Sequence, residues 1–380
     1  MNDMQLNELY KIFNSELYSI ENNNLTENTI NDDLLYDSIL QARKISEDSL
    51  KYKQVFNPII SSPQVQDKAK SLNNFFVELD KKFNTHGNRS SLDRILRYLE
   101  DQSIFANAVN ASDYAKLKLY CENKFPNFSN KMLEDSINFL NTLIINKDES
   151  NRNYTSADVI EIFTKITKKL NIDLIVTNNP NQRAKIRINP SRRTISVRDG
   201  SVFTRNEVRR LALHEIGVHY QRYIFGLKQN DPFLSIGMAL DYILYEEGLA
   251  VYIEDNYSLL DNETLAKYHL RAISSNLTFR YDFSYIYAIN RLYLSPDDSF
   301  DIALRSKRYI SDTSLNFGYS KDSCYLMGFR VVKDLVSESH ENIALLFSGK
   351  ISPNEFNLIN HVNINYNKFL DDIFYETENI

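Results

Sequence analysis

Tryptophan is missing from this chain, and glycine and proline are scarce, at 9 and 8 of 380 residues. Few helix breakers mean long uninterrupted elements, so a mainly helical protein is expected. Without tryptophan, the large core side chains must come from phenylalanine, tyrosine, leucine and isoleucine. Only two cysteines occur, Cys121 and Cys324. That excludes a disulfide framework and a cysteine-rich metal site, and it suits a reducing compartment. Excess positive charge is lacking too: the formal net charge is -6, which argues against a nucleic-acid binder. No run reaches the roughly 18 apolar residues of a membrane span. The first residues show no basic start followed by an apolar run, so no secretory leader is expected. Cytoplasmic residence is the resulting expectation.

What is present suffices for a sizeable core, with 43% hydrophobic and 25% charged residues. The stretch 65–83 places Leu72, Phe75, Phe76 and Leu79 at helical spacing, and 92–99 does the same with Leu92, Ile95, Leu96 and Leu99. The wholly polar stretch 146–153 is the candidate boundary between an N-terminal helical region, 1–150, and a second domain, 151–380. Val159, Ile162, Phe163, Ile166 and Leu170 then trace one helix face, with Thr155 or Ser156 able to cap its start. The period next changes to that of strands, at Ile172, Leu174 and Val176, at Ile186 and Ile188, and at Ile195 and Val197. The last two strands read as a hairpin across Asn189-Pro190-Ser191-Arg192.

Thr204 and Glu207 fit a capping box. The helix they open runs into His214-Glu215-Ile216-Gly217-Val218-His219. Histidines four apart on a helix, with glutamate after the first, are a familiar zinc pattern; here they are five apart (219 − 214). On a regular α-helix that spacing turns the second imidazole by about 140° from the first. A π-bulge would return both to one face, and such bulges gather at functional sites. Gly217 lies inside that turn and is permissive for it.

A third ligand is sought on a second apolar helix, read as spanning about Leu234 to Glu254. Glu247 lies 28 residues past His219 (247 − 219), among Ile243, Leu244, Leu249, Ala250, Val251 and Ile253. A carboxylate there is costly unless paired or metal-bound. Glu246 is about 100° away round the helix, so only one of the two can point at a metal. Gly248 and Ala250 are small enough for close helix approach. Two imidazoles and a carboxylate leave a zinc ion one open position, from which it acidifies water and polarises a carbonyl. Glu215 suits the base that moves the proton.

The segments HEIGVH and EEGLA resemble those of the tyrosine carboxypeptidases related to MATCAP, the tubulin-detyrosinating metallopeptidases, and of bacterial relatives with a QEGLA motif; Glu246 stands at the Gln position. Ser320 to Gly328 resembles the family's Lys-Asp-x-x-Tyr-x-x-Gly segment. The likeness covers roughly residues 155–340 and is strongest over 204–250. It implies His214, His219 and Glu247 as ligands of one zinc ion, Glu215 as catalytic base, and removal of a C-terminal residue, typically tyrosine, from a protein tail. A cation must then meet the terminal carboxylate. Lys321 is preferred because it sits in the matching segment, with Arg222 and Arg271 beside it as candidates and Arg280 and Arg330 behind them. Tyr325 could donate to the developing oxyanion. His86, His269, His340 and His361 belong to no motif.

The expected fold is thus α+β and predominantly helical, a gluzincin-like metallopeptidase core with a small β-sheet before the motif helix. The leading reading is a zinc carboxypeptidase acting on a protein or peptide C-terminal tail. An endopeptidase or aminopeptidase of the same fold, or a non-catalytic binding module, are the alternatives.

Overall fold

The computed structural model describes residues 89–144, 153–180, 182, 184–310 and 312–378, with the isolated helical positions 74 and 77. Apart from those two positions, the helix expected over 65–83 lies outside the described residues, as does nearly all of the polar stretch 146–153. Among the described residues, no helix is long and apolar enough to cross a membrane. The chain is mostly helical with small sheets, as expected. It divides into two compact units that interleave in sequence: Met1–Ile145 with Met238–Leu240 and Asn262–Met327, and Asn146–Gly237 with Asp241–Asp261 and Gly328–Ile380.

The helices are, in chain order, α1 (Arg89–Asn110), α2 (Tyr114–Lys124), α3 (Asn130–Thr142), α4 (Ser156–Lys169), α5 (Arg205–Leu211), α6 (Gln221–Leu227), α7 (Tyr242–Asn256), α8 (Asn262–Leu277), α9 (Phe283–Arg291), α10 (Pro296–Ser306), α11 (Ser323–Glu338), α12 (Glu341–Leu346) and α13 (Tyr366–Glu378). The strands are β1 (Tyr154–Thr155), β2 (Ile175–Asn179), β3 (Ile186–Asn189), β4 (Thr194–Arg198) and β5 (Val202–Phe203).

In the first unit α1 packs on α2, and α8 packs on α3, α9 and α10. Ile95 and Leu99 of the expected stripe are buried. His269 is a core residue stacked on Phe139 at 4.5 Å. The buried Lys307 ammonium donates to the carbonyl oxygens of Thr278, Tyr281, Leu315 and Phe317 at 2.7–3.1 Å, which ties the segment after α10 to the end of α8.

In the second unit α4 opens at a capping box, Thr155 with Asp158, and buries Val159, Phe163 and Ile166. Asn171 adopts a left-handed φ of 51°, and the chain turns through Ile172 before β2 begins at Ile175. The first strand therefore starts later than the alternation at Ile172 and Leu174 suggests. β3 and β4 form the expected antiparallel hairpin, and β2 joins β4 in parallel, giving the order β2-β4-β3. Thr204 and Glu207 form the capping box of α5. The second apolar helix is shorter than its sequence suggests. A 3-10 turn at Pro232–Ser235 and Gly237, at φ 78°, precede α7. The core gathers Phe163, Ile195, Val197, Leu213, Ile216, Leu249, Ile253, Leu370 and Ile373 around the motif segment.

Gly248 of α7 meets Gly328 of α11 backbone to backbone. A Cβ on Gly248 would stand 2.3 Å from the Gly328 carbonyl carbon. The close helix approach expected at Gly248 is thus made by α11. Backbone atoms cannot swing aside as a flexible side chain can, so Gly248→Ala is expected to destabilise the protein by about 3 kcal/mol, the upper end for overpacking. Denaturant titration checks this; a shift under about 1 kcal/mol would contradict the crossing.

Candidate metal centre

Residues Ala212–Tyr220 form a π-helical segment between α5 and α6. The wider turn is what the five-residue histidine spacing demands, since it returns His219 to the face of His214. The two imidazole centroids lie 4.7 Å apart with planes at 89°. Gly217 contributes space there rather than an unusual φ: a Cβ would lie 2.7 Å from Leu370 of α13.

Facing this segment, α7 supplies Glu247. His214, His219 and Glu247 are buried, and each offers a ligand atom within 4.8 Å of the others. The Nε2 atoms of His214 and His219 lie 3.5 and 3.8 Å from Oε2 of Glu247. Tetrahedral coordination with bonds of about 2.0–2.1 Å places neighbouring ligand atoms roughly 3.3 Å apart, close to this spacing. The donor set suits a divalent ion: two imidazole nitrogens and one carboxylate oxygen, gathered away from solvent.

Behind each imidazole stands a further carboxylate. His214 Nδ1 donates to Glu254 at 2.7 Å, and Arg210 donates to the same oxygen at 2.9 Å. A carboxylate only accepts, so it places the proton on Nδ1 and leaves the Nε2 lone pair for a metal. His219 Nδ1 lies 2.9 Å from Oε1 of Glu246; its angle falls short of an aligned hydrogen bond. Burial opposes charge on His214, but the carboxylates of Glu247 and Glu254 beside it push its pKa up to about 10. Burial also raises the Glu215 carboxyl, against the opposing pull of His214 and His219. Glu246 is held well below the usual carboxylate range: burial works against this, and Lys350 and Arg222 overcome it.

Arg222, a sequence candidate for a substrate carboxylate, is in fact wholly buried. Its Nε donates to the carbonyls of Leu346 and Gly349, its Nη2 to that of Ile351, and its Nη1 to Glu246. The guanidinium is committed within the protein, so Arg222 is withdrawn as a substrate ligand.

Tyr325, Lys321 and Arg271 belong to the first unit. Tyr325 stacks on Tyr268 at 5.5 Å and 12°. The Arg271 guanidinium lies 4.9 Å from the Tyr325 ring centroid and 5.7 Å from that of Tyr268. Asp322, next to Lys321, is buried and paired with Arg305 and Arg308. Of the other candidates, Arg280 is exposed and Arg330 part-buried; His340 and His361 are exposed.

Sequence reading missed Glu254, Arg210 and Lys350. Glu254 had a signal: it lies seven residues past Glu247 (254 − 247), about two turns along one face of an apolar helix.

No curated protein matches the chain. The profile of the family described as microtubule-associated tyrosine carboxypeptidase does match, over residues 87–366, beyond the 155–340 that the motifs alone suggested. That span is well over half of the chain and takes in the His214–Glu247 constellation as well as the Ser320–Gly328 segment, so the chain belongs to the microtubule-associated tyrosine carboxypeptidase family.

Proposed function

We propose that this chain is a zinc-dependent carboxypeptidase with a gluzincin-like core, which removes a C-terminal residue, tyrosine or another aromatic, from a protein or peptide tail. The observation that carries the reading is the convergence of His214, His219 and Glu247 on one point, with a glutamate directly after the first histidine. His214, His219 and Glu247 hold the ion. When bound, zinc acidifies water and polarises the scissile carbonyl. Glu215 accepts the proton of the attacking water and passes it to the departing amine. Glu254 keeps the His214 proton on Nδ1. Lys321 and Arg271 are the proposed partners of the substrate carboxylate, and Tyr325 the proposed donor to the oxyanion. The two cysteines, both free, support a cytoplasmic setting.

The test is metal analysis of the purified protein followed by a peptide panel that varies only the two termini, read by mass spectrometry. One bound zinc per chain and loss of a single C-terminal tyrosine are expected, with chelation abolishing turnover and zinc restoring it. Internal cuts, or trimming from the N-terminus, would replace the carboxypeptidase reading with one of the other peptidase modes. A protein that binds zinc yet cleaves nothing would favour a binding module.

A further inference from the structure

The two carboxylates behind the imidazoles are wired differently. Glu254 answers to Arg210 of α5, the helix that leads into the motif segment. Glu246 is tied to Lys350, 104 positions later, and through Arg222 to the backbone of that same distant segment. Arg222, one turn past His219, holds its Oε2 at 2.6 Å, and the Lys350 ammonium holds its Oε1. Lys350 is itself anchored, its backbone N–H donating to the Leu234 carbonyl at 2.6 Å. The same Arg222 guanidinium takes the carbonyls of Leu346, Gly349 and Ile351 at 2.7–2.9 Å. Residues 346–351 are therefore fastened to the back of the motif segment. Glu246 and Arg222 are buried, and Lys350 presents little of its side chain to solvent.

A buried ion cluster gains little stability over apolar side chains of the same volume. What it does supply is a carboxylate whose position is fixed from two sides, and one of its oxygens faces a metal-ligating imidazole. We propose that Glu246, fixed by Arg222 and Lys350, is the positioning residue for His219. Its charge keeps the His219 proton on Nδ1 and turns Nε2 toward the metal, and Lys350 makes segment 346–351 part of the metal centre's support. This rests on the zinc reading above.

The test must separate the charge of Glu246 from simple packing. The double variant Glu246→Gln with Lys350→Met removes one charge of each sign, so the buried net charge is unchanged and an acceptor remains. The full chain, loaded with zinc, is titrated with a competing chelator. Wild-type protein that takes up no zinc would overturn the zinc reading itself, before any variant is made. With zinc bound in the wild type, the double variant is expected to hold it about 10–100-fold more weakly, and to lose kcat with KM unchanged. Wild-type zinc affinity in the double variant would overturn the role of Glu246 alone. Should that variant not fold, histidine-selective ¹⁵N NMR of the zinc-loaded wild type decides. Two ligand imidazoles with slowly exchanging Nδ1 protons are expected; one such imidazole overturns the proposal.

Discussion

Replacing Glu215 by glutamine lowers kcat on a tyrosine-ending peptide by about 10²–10⁴-fold, the span typical of a lost general base. In free energy that is about 3–5 kcal/mol of transition-state stabilisation. Glutamine matches the shape of glutamate and can accept a hydrogen bond, but it cannot take up and return a proton. Glu215 is not one of the three converging ligands, so the variant is expected to retain its zinc and a near-normal KM. Burial raises the Glu215 carboxyl, which favours a group that must release its proton again to the leaving amine. Steady-state kinetics with metal analysis on the same sample checks both halves. Full activity in Glu215→Gln would assign the proton transfer to another group. Loss of zinc along with activity would show that Glu215 holds the site together instead.

The second large effect falls on stability. Arg222→Met is expected to cost about 3–5 kcal/mol, the range for removing one partner of a buried ion pair. Methionine fills much of the space of the arginine stem but donates nothing. Glu246 would keep Lys350 as its cation and lose the guanidinium, and the Leu346, Gly349 and Ile351 carbonyls would lose their donors. Denaturant titration is the measurement. Had Arg222 been the cation for a substrate carboxylate, the variant would fold normally and raise KM. The two outcomes are easily told apart.

The contrast between Arg222 and His219 shows where the sequence is legible. A five-residue histidine spacing on a helix has one economical remedy, a widened turn, and the segment Ala212–Tyr220 adopts it. Local chemistry also made the capping boxes at Thr155 and Thr204 and the β3–β4 hairpin readable, because their partners lie within a few residues. The placement of Glu247 opposite the histidines needed only a carboxylate stranded in apolar sequence. Glu246 was harder. Rotation round the helix correctly separated it from Glu247, but its partners depend on where residues 346–351 come to lie, and no period or motif encodes that. The glycines tell the same story: Gly248 is plainly a site of close approach, yet only the structure shows that the neighbour is Gly328.

The interleaving of the two units bears on how the protein is made. Helices α1 to α3 leave the ribosome early, but the α8 surface that covers α3, including the imidazole stacked on Phe139, is encoded more than a hundred residues later. Translation at about 5–20 residues per second imposes a wait of several seconds or more. During that interval the side of α3 that α8 covers lacks this partner, which is a period of risk for aggregation. The same wiring means that a single proteolytic cut near residue 146 cannot free either unit by itself: it divides the first unit, and it leaves the second on one fragment with Met238–Leu240 and Asn262–Met327 of the first.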